Sequence, residues 1–146
     1  MIKIETHSTT QTEHLGSRIA SVLTGVEVIA LFGDLGAGKT AFTRGLCRGL
    51  GFDNGVSSPT FAIVNEYRAR YPVYHFDMYR ITSSDDLYAV GFYDYLDRGI
   101  LVIEWSENIE SELDDTAIRI HITKTDDENT RSFLIEGMDD YADIIG

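Results

Sequence analysis

The sequence predicts one α/β domain over residues 1–146, built in three layers around a mixed, mainly parallel sheet. Three observations predict it. Val26–Phe32 is a nearly continuous apolar run that leads through a glycine-rich loop into a helical pattern, as a central strand covered on both faces would. Ile100–Ile103 is a second buried run, four aliphatics in a row. Between them, 60–70 and 73–80 read as strands joined around Tyr71-Pro72, a hairpin that makes the sheet mixed rather than purely parallel.

The elements follow in order. Ile2–Thr6 alternates as a short strand. Ser8, Thr9 and Thr10 offer N-caps for a helix near Thr12–Leu23, with Leu15, Ile19, Val22 and Leu23 on one face and Gly25 as its stop. After Val26–Phe32 and the glycine loop, a helix spans about Lys39–Leu50, stopped by Gly49 and Gly51. Asp53–Pro59 is a loop, followed by the hairpin. Ser83-Ser84-Asp85-Asp86 caps a helical stretch towards Val90, and Tyr93–Asp97 fits a second short helix. Ala117–Thr123 and Arg131–Gly137 are late strands around the polar turn Lys124–Thr130. Met138–Gly146 fits a last helical turn.

Composition narrows the function classes. Apolar residues make up 43%, enough for a packed core. No apolar run approaches the ~20 residues of a membrane span, and the N-terminus lacks a signal peptide's apolar block. A cytoplasmic protein with no membrane partner is expected. The single cysteine, Cys47, excludes an internal disulfide and suits a reducing compartment. The four histidines show no paired metal-ligand spacing. With 24 acidic against 12 basic residues, the net charge is −12. Such a surface repels nucleic acid, whose binding rests on basic side chains neutralising phosphates. The chain is not expected to bind RNA by itself, although it can serve a nucleic-acid pathway through a basic partner.

Gly33-Asp34-Leu35-Gly36-Ala37-Gly38-Lys39-Thr40 matches G-x-x-x-x-G-K-[ST]. The glycines let the backbone turn with positive φ and approach an anion closely. Loop N–H groups and the following helix N-terminus surround a β-phosphate. Lys39 reaches the β- and γ-phosphates, and the Thr40 hydroxyl ligates Mg²⁺. The rival reading is an ordinary glycine turn, but chance would produce the pattern in roughly one in a few hundred chains of this length. With this loop, the expected fold becomes P-loop NTPase-like, and ATP with Mg²⁺ the expected ligand.

Phosphoryl transfer also needs a carboxylate for the metal or its waters, usually at a strand end beside the loop. Glu104, after Ile100–Ile103, fits that place; a solvated strand-end glutamate is the alternative. Trp105, the only tryptophan, packs, or contacts a lid or partner. His75 and Asp77 are two residues apart on one strand and share a face. Asp77 would hold a metal water or position the attacking water, or else form a strand-end salt bridge. Arg80 would contact phosphate or pair with an acid. His75 reads as a satisfied core histidine. Ser57-Ser58-Pro59-Thr60 is either a loop that senses the γ-phosphate or an ordinary connection. Seven of the eight tyrosines fall between Tyr67 and Tyr95, explained equally by hairpin packing and by a protein interface.

Other nucleotide chemistries fit less well. Thr123-Lys124-Thr125-Asp126 matches a guanine-reading motif, but it falls in the expected turn between the last two strands. The only D-x-x-G, Asp143–Gly146, comes after it, the wrong order for a switch. A small-molecule kinase would need an acceptor pocket and usually an arginine-rich lid, and no basic segment supplies one. A non-catalytic nucleotide-gated binding module is the third possibility.

The ordered blocks Gly33–Thr40, Ser58-Pro59-Thr60-Phe61 with Asn65-Glu66-Tyr67, His75-Phe76-Asp77-Met78-Tyr79-Arg80 and Ile103-Glu104-Trp105 resemble the TsaE (YjeE) family. These are bacterial ATPases required for the threonylcarbamoyladenosine modification of tRNA at position 37. The resemblance implies slow ATP hydrolysis stimulated by the TsaD and TsaB proteins, and a switch-like loop at Ser58–Phe61. It also implies that Thr40 and Glu104 ligate Mg²⁺, that Lys39, Asp77 and Glu104 carry catalysis, and that Thr12 and Arg131 contact the nucleotide. Ala41 departs from the pattern, where a second threonine or serine is common.

Overall fold

The computed structural model describes residues 1–33, 37–53, 55–57, 59 and 63–146. Asp34, Leu35 and Gly36 of the glycine loop, and Ser58, Thr60 and Phe61 of the expected switch-like loop, lie outside the described residues. Among the described residues, seven strands form one sheet: β1 (Ile2–Thr6), β2 (Val28–Phe32), β3 (Val64–Arg68), β4 (Pro72–Asp77), β5 (Ile100–Glu104), β6 (Ile118–Lys124) and β7 (Arg131–Glu136). Their order across the sheet is β1-β7-β6-β2-β5-β4-β3. The centre, β6-β2-β5-β4, is parallel. Both edges are antiparallel: β3 pairs with β4 as the expected hairpin, and β7 pairs with β6 and β1. The sheet is thus mixed, with its parallel part where the apolar runs are longest.

Alternation along the strands feeds two cores. Ile29, Leu31, Val73, Ile100, Val102, Ile120 and Phe133 face helices α1 (Thr9–Ala20) and α2 (Lys39–Gly49). Phe76, Leu101 and Ile103 point the other way, onto α3 (Ser84–Ala89), α4 (Phe92–Tyr95) and the 3₁₀ segment Ser106–Glu112. All five residues of β5 are buried, as its aliphatic run requires. The last turn, α5 (Ala142–Ile145), packs Ile145 into the larger core. No helix among the described residues is long and apolar enough to cross a membrane.

Several elements differ from the sequence reading: the hairpin strands are shorter than 60–70 and 73–80, and α1 and the 3₁₀ segment differ more. Helix α1 starts at Thr9 rather than Thr12, because the Ser8 hydroxyl caps it by accepting from the Gln11 N–H at 3.1 Å. It ends at Ala20, well before Gly25, with the Ser21 hydroxyl donating back to the Arg18 carbonyl at 2.6 Å. The 3₁₀ segment has no 3.6-residue apolar period and left no signal. It begins after Trp105, whose φ of 59° turns the chain sharply out of β5.

Helices α1 and α2 meet along a seam of small residues. A Cβ on Gly45 would lie 2.0 Å from the Glu13 carbonyl oxygen, and one on Gly16 would lie 2.4 Å from that of Phe42. The Ser17 hydroxyl crosses the seam to the Gly45 carbonyl at 2.8 Å. Backbone approach this close requires glycine.

Strand β2 begins two residues later than its apolar run, because Glu27 turns back on the preceding loop. Its carboxylate accepts from the N–H groups of Thr24 (2.7 Å) and Gly25 (2.9 Å) and from the Thr24 hydroxyl (2.9 Å). Partial burial alone would raise the Glu27 carboxyl, but these donors outweigh it and hold the group below its ordinary 4.5. A depressed carboxyl stabilises the fold above the unfolded value, and the contribution fades as pH falls through the lower folded value. Glu27→Gln is therefore expected to lower Tm at pH 7 and to lose less than wild type on acidification below pH 4.5. Thermal melts across pH check this.

Candidate functional site

The site lies at the carboxyl ends of the parallel strands, where open α/β sheets bind ligands. Strand β2 runs into Gly33, whose φ of 149° and missing side chain allow contact with β6: a Cβ there would sit 2.5 Å from the Ile122 carbonyl oxygen. Gly38 caps α2 at φ 107°, so no capping side chain covers the helix N-terminus. The first turn of α2 carries no acid, which leaves its positive end available to an anion.

Lys39 is 5% exposed. Its ammonium donates to the Gly33 carbonyl at 2.8 Å and sits 4.3 Å above the centre of the Trp105 ring. A buried ammonium needs such partners. The Gly33 N–H donates to Glu107 at 3.1 Å, which ties the loop's entry to the 3₁₀ segment. Trp105 therefore does more than fill space: its ring carries the lysine on one side and packs against Tyr79, with centroids 5.0 Å apart.

Glu104 ends β5 and is buried, not solvated. Its carboxylate lies 2.9 Å from Nε2 of His75, which is fully buried on the neighbouring β4. Nδ1 of the same ring lies 3.0 Å from the Tyr67 hydroxyl. His75 is a satisfied core histidine, as expected from sequence, yet it is also the partner of Glu104, which sequence reasoning missed. The available signal was parity: His75 and Asp77 share a face of β4, and Asp77 stands in register with Glu104. Asp77 is half-buried and forms no strand-end salt bridge among the described residues; its Oδ1 accepts the Tyr79 N–H at 2.9 Å, closing the turn after β4. Arg80 is exposed.

Thr12 and Arg131, far apart in sequence, come together beside the loop. With Ser8, Gly38, Ala41 and Glu128 they line a cleft of about 90 Å³. The Thr12 hydroxyl pairs with that of Thr6 at 2.7 Å. Arg131 is held against its own turn, donating to the Glu128 carbonyl at 2.6 Å. The Thr123–Asp126 tetrad falls where β6 turns towards β7, not before a helix, so it has no guanine-reading context. A larger cleft of about 380 Å³, floored by Val28, Phe92 and Leu113, opens at the opposite end of the sheet. It holds none of the described loop residues. The carboxyl edge is the better site because glycine loop, lysine and acidic strand ends converge there.

Fold and motif together define the class: an α/β three-layer domain of the P-loop NTPase type. The sequence matches the family described as threonylcarbamoyl adenosine biosynthesis protein TsaE over residues 6–133. The chain belongs to that family. It is 36% identical over 123 residues to the tRNA threonylcarbamoyladenosine biosynthesis protein TsaE of Treponema pallidum, covering 84% of this chain and 91% of the relative. It is 37% identical to the protein of the same name from Bacillus subtilis over 140 residues, 93% of this chain and 87% of the relative. The crystal structure of Bacillus subtilis YdiB superposes with a TM-score of 0.72 at 30% identity, covering 99% of this chain and 90% of that one.

Proposed function

We propose that this chain binds ATP with Mg²⁺ at Gly33–Thr40 and hydrolyses it, as a cytoplasmic accessory protein required for the threonylcarbamoyladenosine modification at tRNA position 37, acting with TsaD and TsaB. The observation that carries the reading is the convergence of the loop lysine and the buried Glu104 at one sheet edge. The family supplies the pathway. The net charge of −12 argues that tRNA is gripped by the partners.

The donor set suits Mg²⁺. Thr40 and Glu104 offer hard oxygens, and no cluster of three or more His, Cys, Asp or Glu occurs among the described residues. Mg²⁺ prefers such sparse protein ligation, shared with phosphate oxygens and water. When bound, it would neutralise charge building on the transferring phosphoryl group. The chain's own residues do the rest. The α2 N-terminus and Lys39 hold the phosphates, and Lys39 exchanges the Gly33 carbonyl for phosphate oxygen. Asp77 stands beside Glu104 to orient the attacking water. Thr12 and Arg131 border the nucleoside side of the loop.

The test is capture of TsaD–TsaB with and without ATP, followed by phosphate release from the complex. Stimulated release supports the reading. Labelled phosphate on an acceptor would make the protein a kinase, and ATP-dependent capture without turnover would make it a gated binding module. Within this reading, Arg131→Ala is expected to raise the Kd for ATP about tenfold, the loss of one charge-assisted hydrogen bond. Calorimetry measures it; an unchanged Kd would remove Arg131 from the nucleotide site.

A further inference from the structure

A file of buried polar groups leads away from Glu104 and reaches the segment after α2. His75 Nε2 lies 2.9 Å from the Glu104 carboxylate, and His75 Nδ1 lies 3.0 Å from the Tyr67 hydroxyl. That hydroxyl lies 2.9 Å from the Ser57 carbonyl oxygen and 3.2 Å from the Ser57 nitrogen. The Asn65 amide also donates to the Ser57 carbonyl, at 3.2 Å.

The Tyr67 hydroxyl donates to the Ser57 carbonyl and accepts the Ser57 N–H, so it is tied to both backbone groups of that residue. Burial pushes the Tyr67 phenol above its ordinary value, keeping its proton in place. The same oxygen stands against His75 Nδ1, and His75 Nε2 stands against the Glu104 carboxylate, so each group is held by the next. Hydrogen bonds linked in this way polarise one another. No buried side-chain polar atom among the described residues lacks a partner, so the file has no slack. The Tyr67 ring is itself clamped, stacked on Phe52 with centroids 5.1 Å apart.

We infer that His75 and Tyr67 are positioning residues that set the orientation of the Glu104 carboxylate and couple it to the backbone at Ser57. The inference rests on the proposed function for what Glu104 holds. Neither side chain need touch nucleotide. Their effect passes through Glu104 on one side and through the Ser57 amide on the other. The segment leaving α2 and the acidic strand end therefore respond to a bound nucleotide together.

The test compares Tyr67→Phe, which removes one oxygen and keeps the stacked ring, with His75→Leu and His75→Gln. ATP affinity is measured by calorimetry with Mg²⁺ and with chelator. Wild type is expected to gain affinity from Mg²⁺. Tyr67→Phe should keep its Mg²⁺-free Kd but lose roughly tenfold of that gain, the usual effect of removing an outer-shell partner. Phosphate release should show the loss in kcat rather than KM. His75→Gln, which restores an N–H donor, should recover part of what His75→Leu loses. By hydrogen exchange, the Ser57 amide should exchange faster in both Tyr67→Phe and His75→Leu, although His75 does not touch it. If Tyr67→Phe retains the full Mg²⁺ gain and kcat, the positioning role is wrong. If Ser57 exchange is unchanged in both variants, the coupling is wrong. A wild-type chain that binds no ATP would instead overturn the proposed function. Thermal melts confirm folding, and Tyr67→Phe alone suffices if His75→Leu does not fold.

Discussion

Lys39→Ala is expected to cut phosphate release by about 10²–10³-fold, the usual loss when one preorganised donor to developing negative charge is removed. The magnitude follows from where the ammonium sits. Lys39 is 5% exposed, so its charge acts with little screening by water. It is already aimed: its stem leaves the first residue of α2, and its head is fixed between the Gly33 carbonyl and the Trp105 face. Little reorganisation would be needed for a phosphate oxygen to replace the carbonyl under the proposed function. The methyl of alanine supplies no charge and leaves the indole without its cation. Phosphate release on the TsaD–TsaB complex, at matched protein levels, measures the effect. Complex-dependent tRNA modification at the normal rate in this variant would contradict the ATPase reading altogether.

Gly45→Ala is expected to destabilise the fold by about 2–3 kcal/mol, a drop in Tm of roughly 5–10 °C. Alanine normally improves a helix interior by about 1 kcal/mol over glycine. Here the added Cβ would stand 2.0 Å from the Glu13 carbonyl oxygen and 2.5 Å from its carbon, all of it backbone. Backbone cannot swing aside as a side chain can, so α1 must lift from α2. That breaks the Ser17–Gly45 hydrogen bond and loosens Leu15, Ile19, Phe42 and Leu46 together. Because Thr12 rides on α1 beside Gly38, nucleotide affinity should weaken along with stability. Denaturant unfolding monitored by circular dichroism measures the first effect. A variant as stable as wild type would mean the seam yields more easily than its geometry implies.

Much of this architecture is legible in local pattern, for a physical reason. A strand covered on both faces must be apolar throughout, so β2 and β5 declare themselves. A loop that wraps phosphate needs glycine and lysine at set spacing, so Gly33–Thr40 does too. What stays hidden is what register creates. His75 meets Glu104 only because β4 and β5 pair with Asp77 opposite Glu104, and no local pattern states that pairing. Thr12 and Arg131 meet because β1 pairs with β7, and family resemblance, not pattern, singled them out. The 3₁₀ segment lacks a period to detect. The glycine seam is equally silent, since Gly16 and Gly45 read locally as poor helix formers rather than as contact points.

The indole under Lys39 has an optical consequence. Trp105 is the only tryptophan in the chain, so emission excited at the indole band has a single origin. That origin lies 4.3 Å from the ammonium and against the Tyr79 ring. An indole's excited state is sensitive to a charge at such range, so any event that draws the lysine away changes the colour or brightness of the light. The protein thus carries an unlabelled reporter whose readout is the position of one charge, usable at dye-free concentrations and on the timescale of a stopped-flow mixing experiment.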